Sequence, residues 1–458
     1  MRERNSSMRS LSYGLLLAFA VPIQVSAQEG GDPQQPFRDF EAGRYVAAEQ
    51  GAEAALAQDP DNPVWWALLA EARSENRRFK DAAAAFSRAA EEDPDAERRS
   101  YFRRAQTLNL VYADLHAEAR SVLREAMGDP SLATRASLDW AMVAIAARDD
   151  EAAQEILNNE ALYADFTRQS ALDAGYSAKR SGLDSRAVRF FQAGLAIDES
   201  EESRLSPVER ENIRREIREL ERDWSFIAQG SFSTAGRPSG LSAAPLDDER
   251  ALQFGAEISR RIGGWRNGKP FSVFARVYHS EFLGDDAVIG NATQGWVGAR
   301  YKPFSSLNFN VEASKLIGLD SDAIDDWSLR GAISGGQGLE PEVGRSQWTY
   351  AHYYGDLSYL IENDVAFGIV EGRVGRSFAL GDRSNVITPY LVVRADLDTG
   401  RQEEGAFGAG AGLTMRHWFD ETDTVAWRGF IDFDVQARQR IVGDRRATGV
   451  LATITVGR

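Results

Sequence analysis

The chain contains no cysteine. That excludes a disulfide-stapled scaffold, a thiol nucleophile, and zinc or iron–sulfur sites built on thiolates. Histidine is almost as scarce: His116, His279, His352 and His417 are the whole supply in 458 residues. A multi-histidine metal centre is therefore not expected. Basic charge falls short of acidic, 53 Lys and Arg against 69 Asp and Glu, for a formal net charge of −16. A general nucleic-acid binder needs basic patches to neutralise phosphates, so no nucleic-acid partner is expected. No G-x-x-x-x-G-K-[ST] loop, H-E-x-x-H helix or G-x-S-x-G elbow occurs. The expectation is a protein that is not an enzyme, with no catalytic, cofactor or metal site to name. Beyond the N-terminus, no uncharged stretch of about 18 residues offers a transmembrane helix. Any later use of a membrane must be through strands.

What is present divides into segments. Arg2, Arg4 and Arg9 precede an apolar run at 15–21, and Val25-Ser26-Ala27 follows. A basic start, a short apolar run and small residues before a cut predict a secretory signal peptide over residues 1–27. A membrane anchor is the alternative, but the run is too short to span a bilayer comfortably. Residues 28–223 hold 26 basic and 39 acidic groups, a net of −13; residues 224–458 hold 24 and 29, a net of −5. Aromatics move the other way, 16 in the first part and 28 in the second. The first part is Ala-rich with helical spacing; the second is rich in Gly, aromatics and two-residue alternation. Two domains with different physics are expected.

The helical part repeats. Asp59-Pro60 and Asp93-Pro94 stand 34 residues apart, and Tyr45, Ala48 and Ala55 correspond to Phe79, Ala82 and Ala89. The second unit carries Trp66, Leu69, Ala70, Ala82, Phe86, Ala89 and Pro94, and another ends at Ala187, Phe191, Gly194 and Asp198. This pattern resembles the tetratricopeptide repeat, in which small residues let paired helices approach while large ones fill the gaps. About five such repeats would fill residues 28–205. The candidate repeat core is Tyr45, Trp66, Leu69, Ala82, Phe86, Ala89 and Phe191. A generic array of helical hairpins is the alternative; either gives a solenoid with a concave protein-binding face. Residues 206–223 read as a capping and connecting helix. Ser206-Pro207-Val208-Glu209 is a capping box with Pro at the first helical position. Ile213, Ile217, Leu220 and Trp224 then share one face, and Glu211 with Arg215 forms an i,i+4 pair on the exposed side.

Residues 224–458 alternate. In 307–314 every odd position is apolar and every even one polar, and the same two-residue alternation appears in 252–258, 407–413 and 431–437. Such segments, split by Gly, Asp and Asn turns, are the signature of a transmembrane β-barrel. About twelve strands are expected, starting near Trp224, Leu252, Phe271, Thr293, Leu307, Trp327, Trp348, Val365, Val386, Ala406, Val425 and Thr448. The fold class is thus an all-α tetratricopeptide-like solenoid followed by an all-β antiparallel transmembrane barrel. Charges sit on the polar phase: Arg300, Glu312, Arg330, Glu371, Arg373, Arg394, Asp396, Arg416, Asp432 and Asp434. Facing a soluble core they would be costly, so they are the candidate lumen-lining residues. Trp296 with Tyr301, Trp418 with Phe419, and Trp427 stand at strand ends, where interfacial girdles are expected. A secreted β-sandwich remains the alternative. Residues 335–347 are too long for the tight turn that strand alternation places there. Asp320, Asp322, Asp325 and Asp326 lack the spacing and glycine of an EF-hand and read as a solvated acidic loop.

A signal peptide, tetratricopeptide repeats and a C-terminal barrel together look like the outer-membrane components of exopolysaccharide export systems, such as those for cellulose and poly-N-acetylglucosamine. The last 110 residues resemble the C-terminal domain of the NfrA phage-adsorption family. The resemblance is carried by Gln347-Trp348-Thr349-Tyr350, Glu371-Gly372-Arg373, Gly375-Arg376-Ser377-Phe378, Ile387-Thr388-Pro389-Tyr390, the Gly-rich stretch 405–412 and Arg416-His417-Trp418-Phe419. It implies an outer-membrane protein that exports a surface polysaccharide and can serve as a phage receptor. The helical domain would lie in the periplasm and meet a periplasmic or inner-membrane glycan secretion partner. A non-conducting anchor or assembly scaffold is the alternative, because wide aqueous channels are usual nearer 16 strands.

Overall fold

The computed structural model describes residues 32–132, 137–200, 204–234, 250–283, 288–321, 323–381 and 383–458. The signal-peptide expectation at 1–27 lies outside these residues, as does Asp322 of the acidic loop. The chain forms two compact units, residues 1–149 and 150–458.

The first unit contains α1 (Gln35–Glu41), α2 (Tyr45–Leu56), α3 (Pro63–Glu75), α4 (Phe79–Glu92), α5 (Ala96–Tyr112), α6 (His116–Gly128) and α7 (Leu138–Ala146). Side-chain caps set several starts: Asn62 accepts from the Val64 N–H with Pro63 opening α3, and Asp95 accepts from the Arg98 N–H at α5. A cap of this kind is worth about 1 kcal/mol. Ala48, Ala82 and Ala89 are fully buried, and Leu69 and Phe86 nearly so, where methyl groups let the helices close on the larger side chains. Tyr45 and Trp66 are only half-buried. It is Trp65 that enters the core, while the Trp66 indole N–H donates to Pro60 O at 2.7 Å.

The second unit begins with α8 (Asp150–Ile156), α9 (Arg168–Arg180), α10 (Asp184–Ser200) and α11 (Pro207–Glu221). Phe191 is fully buried and lies against Gly175, where a Cβ would come within 2.6 Å of its ring.

The repeat is written most plainly in the backbone. Gly43, Arg77, Asp114, Arg148 and Gly182 all have φ between 59° and 73°. Their spacings are 34, 37, 34 and 34 residues. After each, the next N–H reaches back five residues to a helix carbonyl, as Arg78 to Arg73 and Leu183 to Ala178 do at 2.8 and 2.9 Å. Five helices therefore end in the same left-handed stop, three of them on a residue with a Cβ. Arg77→Gly is expected to stabilise its unit by up to about 1 kcal/mol by relieving that cost, whereas Arg77→Ala, which keeps the Cβ, should change little. Urea unfolding followed by helical circular dichroism would test this, and equal effects of the two substitutions would refute it.

The remainder is a closed barrel of twelve antiparallel strands, each paired with its sequence neighbours and β1 closing onto β12. The strands are β1 (Trp224–Ser233), β2 (Arg250–Ile262), β3 (Phe271–Leu283), β4 (Val288–Tyr301), β5 (Asn308–Gly318), β6 (Asp326–Gln337), β7 (Gln347–Leu360), β8 (Val365–Ala379), β9 (Asn385–Asp398), β10 (Gly405–Phe419), β11 (Gly429–Gly443) and β12 (Gly449–Gly457). Most expected starts fall within two residues of these. Two differ: β4 opens at Val288, earlier than Thr293, and β11 opens at Gly429, later than Val425. Val425, Ala426 and Trp427 are buried in a connection instead of paired in a strand.

Alternation decides which side each residue takes. On β9, Val386, Thr388, Tyr390, Val392, Arg394 and Asp396 point inward and are buried, while Leu391 and Val393 point outward and are 64% and 49% exposed. Val370, Val374, Phe433 and Ile454 are similarly bare on other strands. Apolar groups outside and charge inside is the arrangement of a barrel whose solvent is lipid. Among the described residues, no helix is long and apolar enough to cross a membrane.

Three expectations need correction. Trp296, Trp418 and Trp427 are not interfacial: each is at most 7% exposed and packs inside. Trp296 shares strand parity with Gln294, which is itself buried. Of the expected girdle residues Tyr301 is exposed, and so are Trp224, Phe304 and Trp327. Trp224 does not join the face of α11, which ends at Glu221, but opens β1. Glu211 is not on an exposed side either; it is buried, pairing with both Arg214 and Arg215. The capping box is present, with Ser206 and Glu209 exchanging side-chain to backbone hydrogen bonds. The hydrogen bond from Ser206 holds the Glu209 carboxyl below its usual range.

Candidate functional site: the barrel interior

The interior has two halves. On the side of β2 to β6, and reaching β7, charge is tied into a dense network. Glu312 accepts from Arg300 at 2.6 Å and pairs with Arg330 at 3.2 Å and Arg276 at 3.5 Å. Glu257 binds Arg276 at 2.8 Å and Arg300 at 3.0 Å, and Asp356 binds Arg330 at 2.6 Å. Three guanidinium groups thus meet three carboxylates. Phe274, Trp296, Leu316, Leu360 and Phe367 form an apolar cluster that also lies inside the barrel. Paired charges and apolar side chains together occupy this half.

The other half holds a cavity of about 460 Å³ lined by residues of β1, β6 to β12 and the connection after β6. Seven of the ten charged candidates line it: Arg330, Glu371, Arg373, Arg394, Arg416, Asp432 and Asp434. Arg300 and Glu312 belong to the network on the other side, and Asp396 pairs with Arg394. Glu371 binds Arg373 at 2.7 Å and Arg394 at 3.6 Å; Arg394 also binds Asp396 at 2.7 Å. Asp434 pairs with Arg373 at 3.1 Å and accepts from the Tyr390 hydroxyl at 2.8 Å, and Arg416 pairs with Asp432. The charges cancel locally, so they brace the wall more than they set a single-sign field.

Charge alone under-reads the cavity. Trp348, Tyr350, Tyr354 and Trp418 present aromatic surface to it, and Thr388, Thr414, Thr453, Thr455, Gln229 and Gln436 present hydroxyls and amides. All share the inward parity of the charged set, so the same alternation could have found them. Behind the lining, Tyr390 lies across Gly412, its direct partner on β10, where a Cβ would sit 2.4 Å from the ring. The Arg373 guanidinium stacks on Tyr390 at 4.6 Å.

The motifs that looked separate in the sequence converge here. Trp348 and Tyr350, Glu371 and Arg373, Ser377, Thr388, and Arg416 with Trp418 come from four strands and line one cavity. Residues 285–454, from just before β4 into β12, match the family described as Bacteriophage N adsorption protein A C-term. Over those residues the barrel is similar to that family's C-terminal domain. Residues 39–105 match a tetratricopeptide repeat family. With its apolar exterior and charged interior, the barrel has the build of a transmembrane β-barrel, and it follows an N-terminal repeat region in the sequence.

No curated protein matches the chain. Among solved structures, MamA is 16% identical over 38% of this chain and 96% of its own, with a TM-score of 0.31. An outer membrane channel from Pseudomonas putida F1 is 9% identical over 52% and 94%, with a TM-score of 0.30. The KdgM porin is 12% identical over 51% and 97%, with a TM-score of 0.25.

Proposed function

We propose that this protein forms the outer-membrane step of a surface-polysaccharide export system. The observation that carries this reading is the cavity's chemistry: aromatic faces, hydroxyls and paired charges ring one space inside a membrane barrel. Aromatic faces suit the C–H faces of sugar rings, and the polar groups suit their hydroxyls. The helical repeats would lie in the periplasm and hold a secretion partner, as repeat surfaces suit protein binding. The role is passive rather than catalytic, because the interior carboxylates are engaged by arginines. The similarity to the adsorption-protein family supports a second use, in which phage bind the loops at the end of the barrel away from α11.

Removing the gene should abolish the surface polysaccharide, and the full chain should restore it. A Trp348→Ala, Tyr350→Ala chain that inserts normally should restore it poorly. Unchanged polysaccharide after deletion would end the export reading. A non-conducting anchor is the second reading, favoured by the filled β2–β6 half of the interior. It predicts no ion conductance from the full chain under any condition.

A further inference from the structure

The connection between β6 and β7, residues 338–346, is nine residues long where a two-residue turn would join the strands. It folds inward. Gly338 takes φ of 65°, and a Cβ there would lie 2.2 Å from Thr349 O, so only glycine lets the chain turn back against β7. The Trp348 indole N–H donates to Gly338 O at 2.9 Å, and Arg416 donates to Leu339 O at 3.4 Å. Gly338, Leu339, Glu340 and Pro341 accordingly line the cavity.

Helix α11 grips this segment from the other side. Arg215 and Arg218, one turn apart, converge on Glu340 at 2.9 and 2.8 Å. Arg215 also donates to Pro341 O at 3.2 Å, and Arg218 to Trp427 O at 3.1 Å. Arg214 anchors the helix separately to the 420–428 connection, through Glu421 at 2.6 Å and Val425 O at 3.0 Å. No residue of α11 lines the cavity, whereas the residues it grips do. Segment 338–341 therefore stands between the helix and the cavity.

We infer that residues 338–346 are a plug that closes the α11 end of the barrel, and that α11 is the latch holding it through Glu340. The inference rests on the reading of the barrel as a conduit. The latch has a reason to be ionic. Glu340 is partly exposed and its partners sit on a helix that leads straight into β1, so shifting α11 would release the plug without breaking a strand pair. A partner that moves the helices would then open the barrel, and the resting protein would not leak.

The test is single-channel recording on the full chain in planar bilayers, with the gel shift of unboiled samples confirming a folded barrel in each variant. Wild type should be mostly closed. Glu340→Ala should raise the open fraction about tenfold, the effect of losing about 1.4 kcal/mol of closed-state preference. Deleting residues 339–345, which leaves Gly338 and Ser346 as a two-residue turn, should hold the barrel open. Glu421→Ala, which weakens only the separate anchor, should leave gating near wild type. If wild type is already as open as Glu340→Ala and the deletion, the plug inference fails while the conduit stands. Opening by the deletion but not by Glu340→Ala overturns the latch. Silence from every variant, the deletion included, overturns the conduit reading and the plug with it.

Discussion

Glu312→Ala is expected to destabilise the folded barrel by about 3–5 kcal/mol, the range for removing one partner from a buried ion-pair cluster. Glu312 is 4% exposed and is the carboxylate shared by Arg276, Arg300 and Arg330. Without it three guanidinium groups face two carboxylates, Glu257 and Asp356. Arg276 and Arg300 also lie against the Phe274 ring at 4.9 and 5.1 Å, where the apolar cluster limits rehydration. Adding Arg300→Met restores neutrality, leaving Arg276 and Arg330 with Glu257 and Asp356. The double variant should recover part of the loss, because the surplus charge and not the missing contact carries the cost. The exposed pair of Lys315 with Glu362, 3.4 Å apart, supplies the contrast. Glu362→Ala should cost no more than about 0.5 kcal/mol. Urea unfolding in detergent micelles, followed by the gel shift of unboiled samples, would compare them. Equal midpoints for Glu312→Ala and Glu362→Ala would show the network to be ornamental.

Parity along a strand is a local property, and what depended on parity could be read from the sequence. Leu391 and Val393 declare one face of β9, and Thr388, Arg394 and Asp396 the other, whatever the rest of the chain does. Position near a strand end misleads for Trp296 and Trp418, whose parity is inward, while Trp427 is buried in a connection, where parity does not apply. A tryptophan in the interior and one at the lipid interface look alike until its phase is compared with Gln294 or Arg416. The left-handed helix stops were hidden for another reason. Gly43 and Gly182 advertise a positive φ, but Arg77, Asp114 and Arg148 adopt it because the packed helices demand it. Glu340 could not be found locally at all. Its partners Arg215 and Arg218 lie more than 120 residues away, and nothing in a nine-residue connection says which helix it will meet. The excess length at 335–347 was visible, but its use was not.

In the repeat region the largest expected effect is a loss of stability as pH rises from about 4.5 to about 7, caused by one residue. Glu71 on α3 is buried, and burial pushes its carboxyl up to about 7, with Glu75 adding to the shift and the Tyr101 hydroxyl opposing it. That hydroxyl donates to Glu71 Oε1 at 2.5 Å. Between the unfolded value of 4.5 and the folded value near 7 the native state binds the extra proton, so unfolding releases it and stability falls with rising pH. The contribution is complete below 4.5 and gone above 7. A shift of this size is worth about 3 kcal/mol. Glu71→Gln keeps an acceptor for Tyr101 without the titration. It should therefore match wild type at pH 4.5 and exceed it by about 3 kcal/mol at pH 8. Tyr101→Phe removes the hydrogen bond that favours the charged form, so the loss of stability should extend to higher pH. Helical circular dichroism of the full chain in urea, at pH 4.5, 6 and 8, isolates the repeats because the barrel contributes little helical signal. A constant difference between wild type and Glu71→Gln across that range would mean that Glu71 stays ionised in the fold despite its burial.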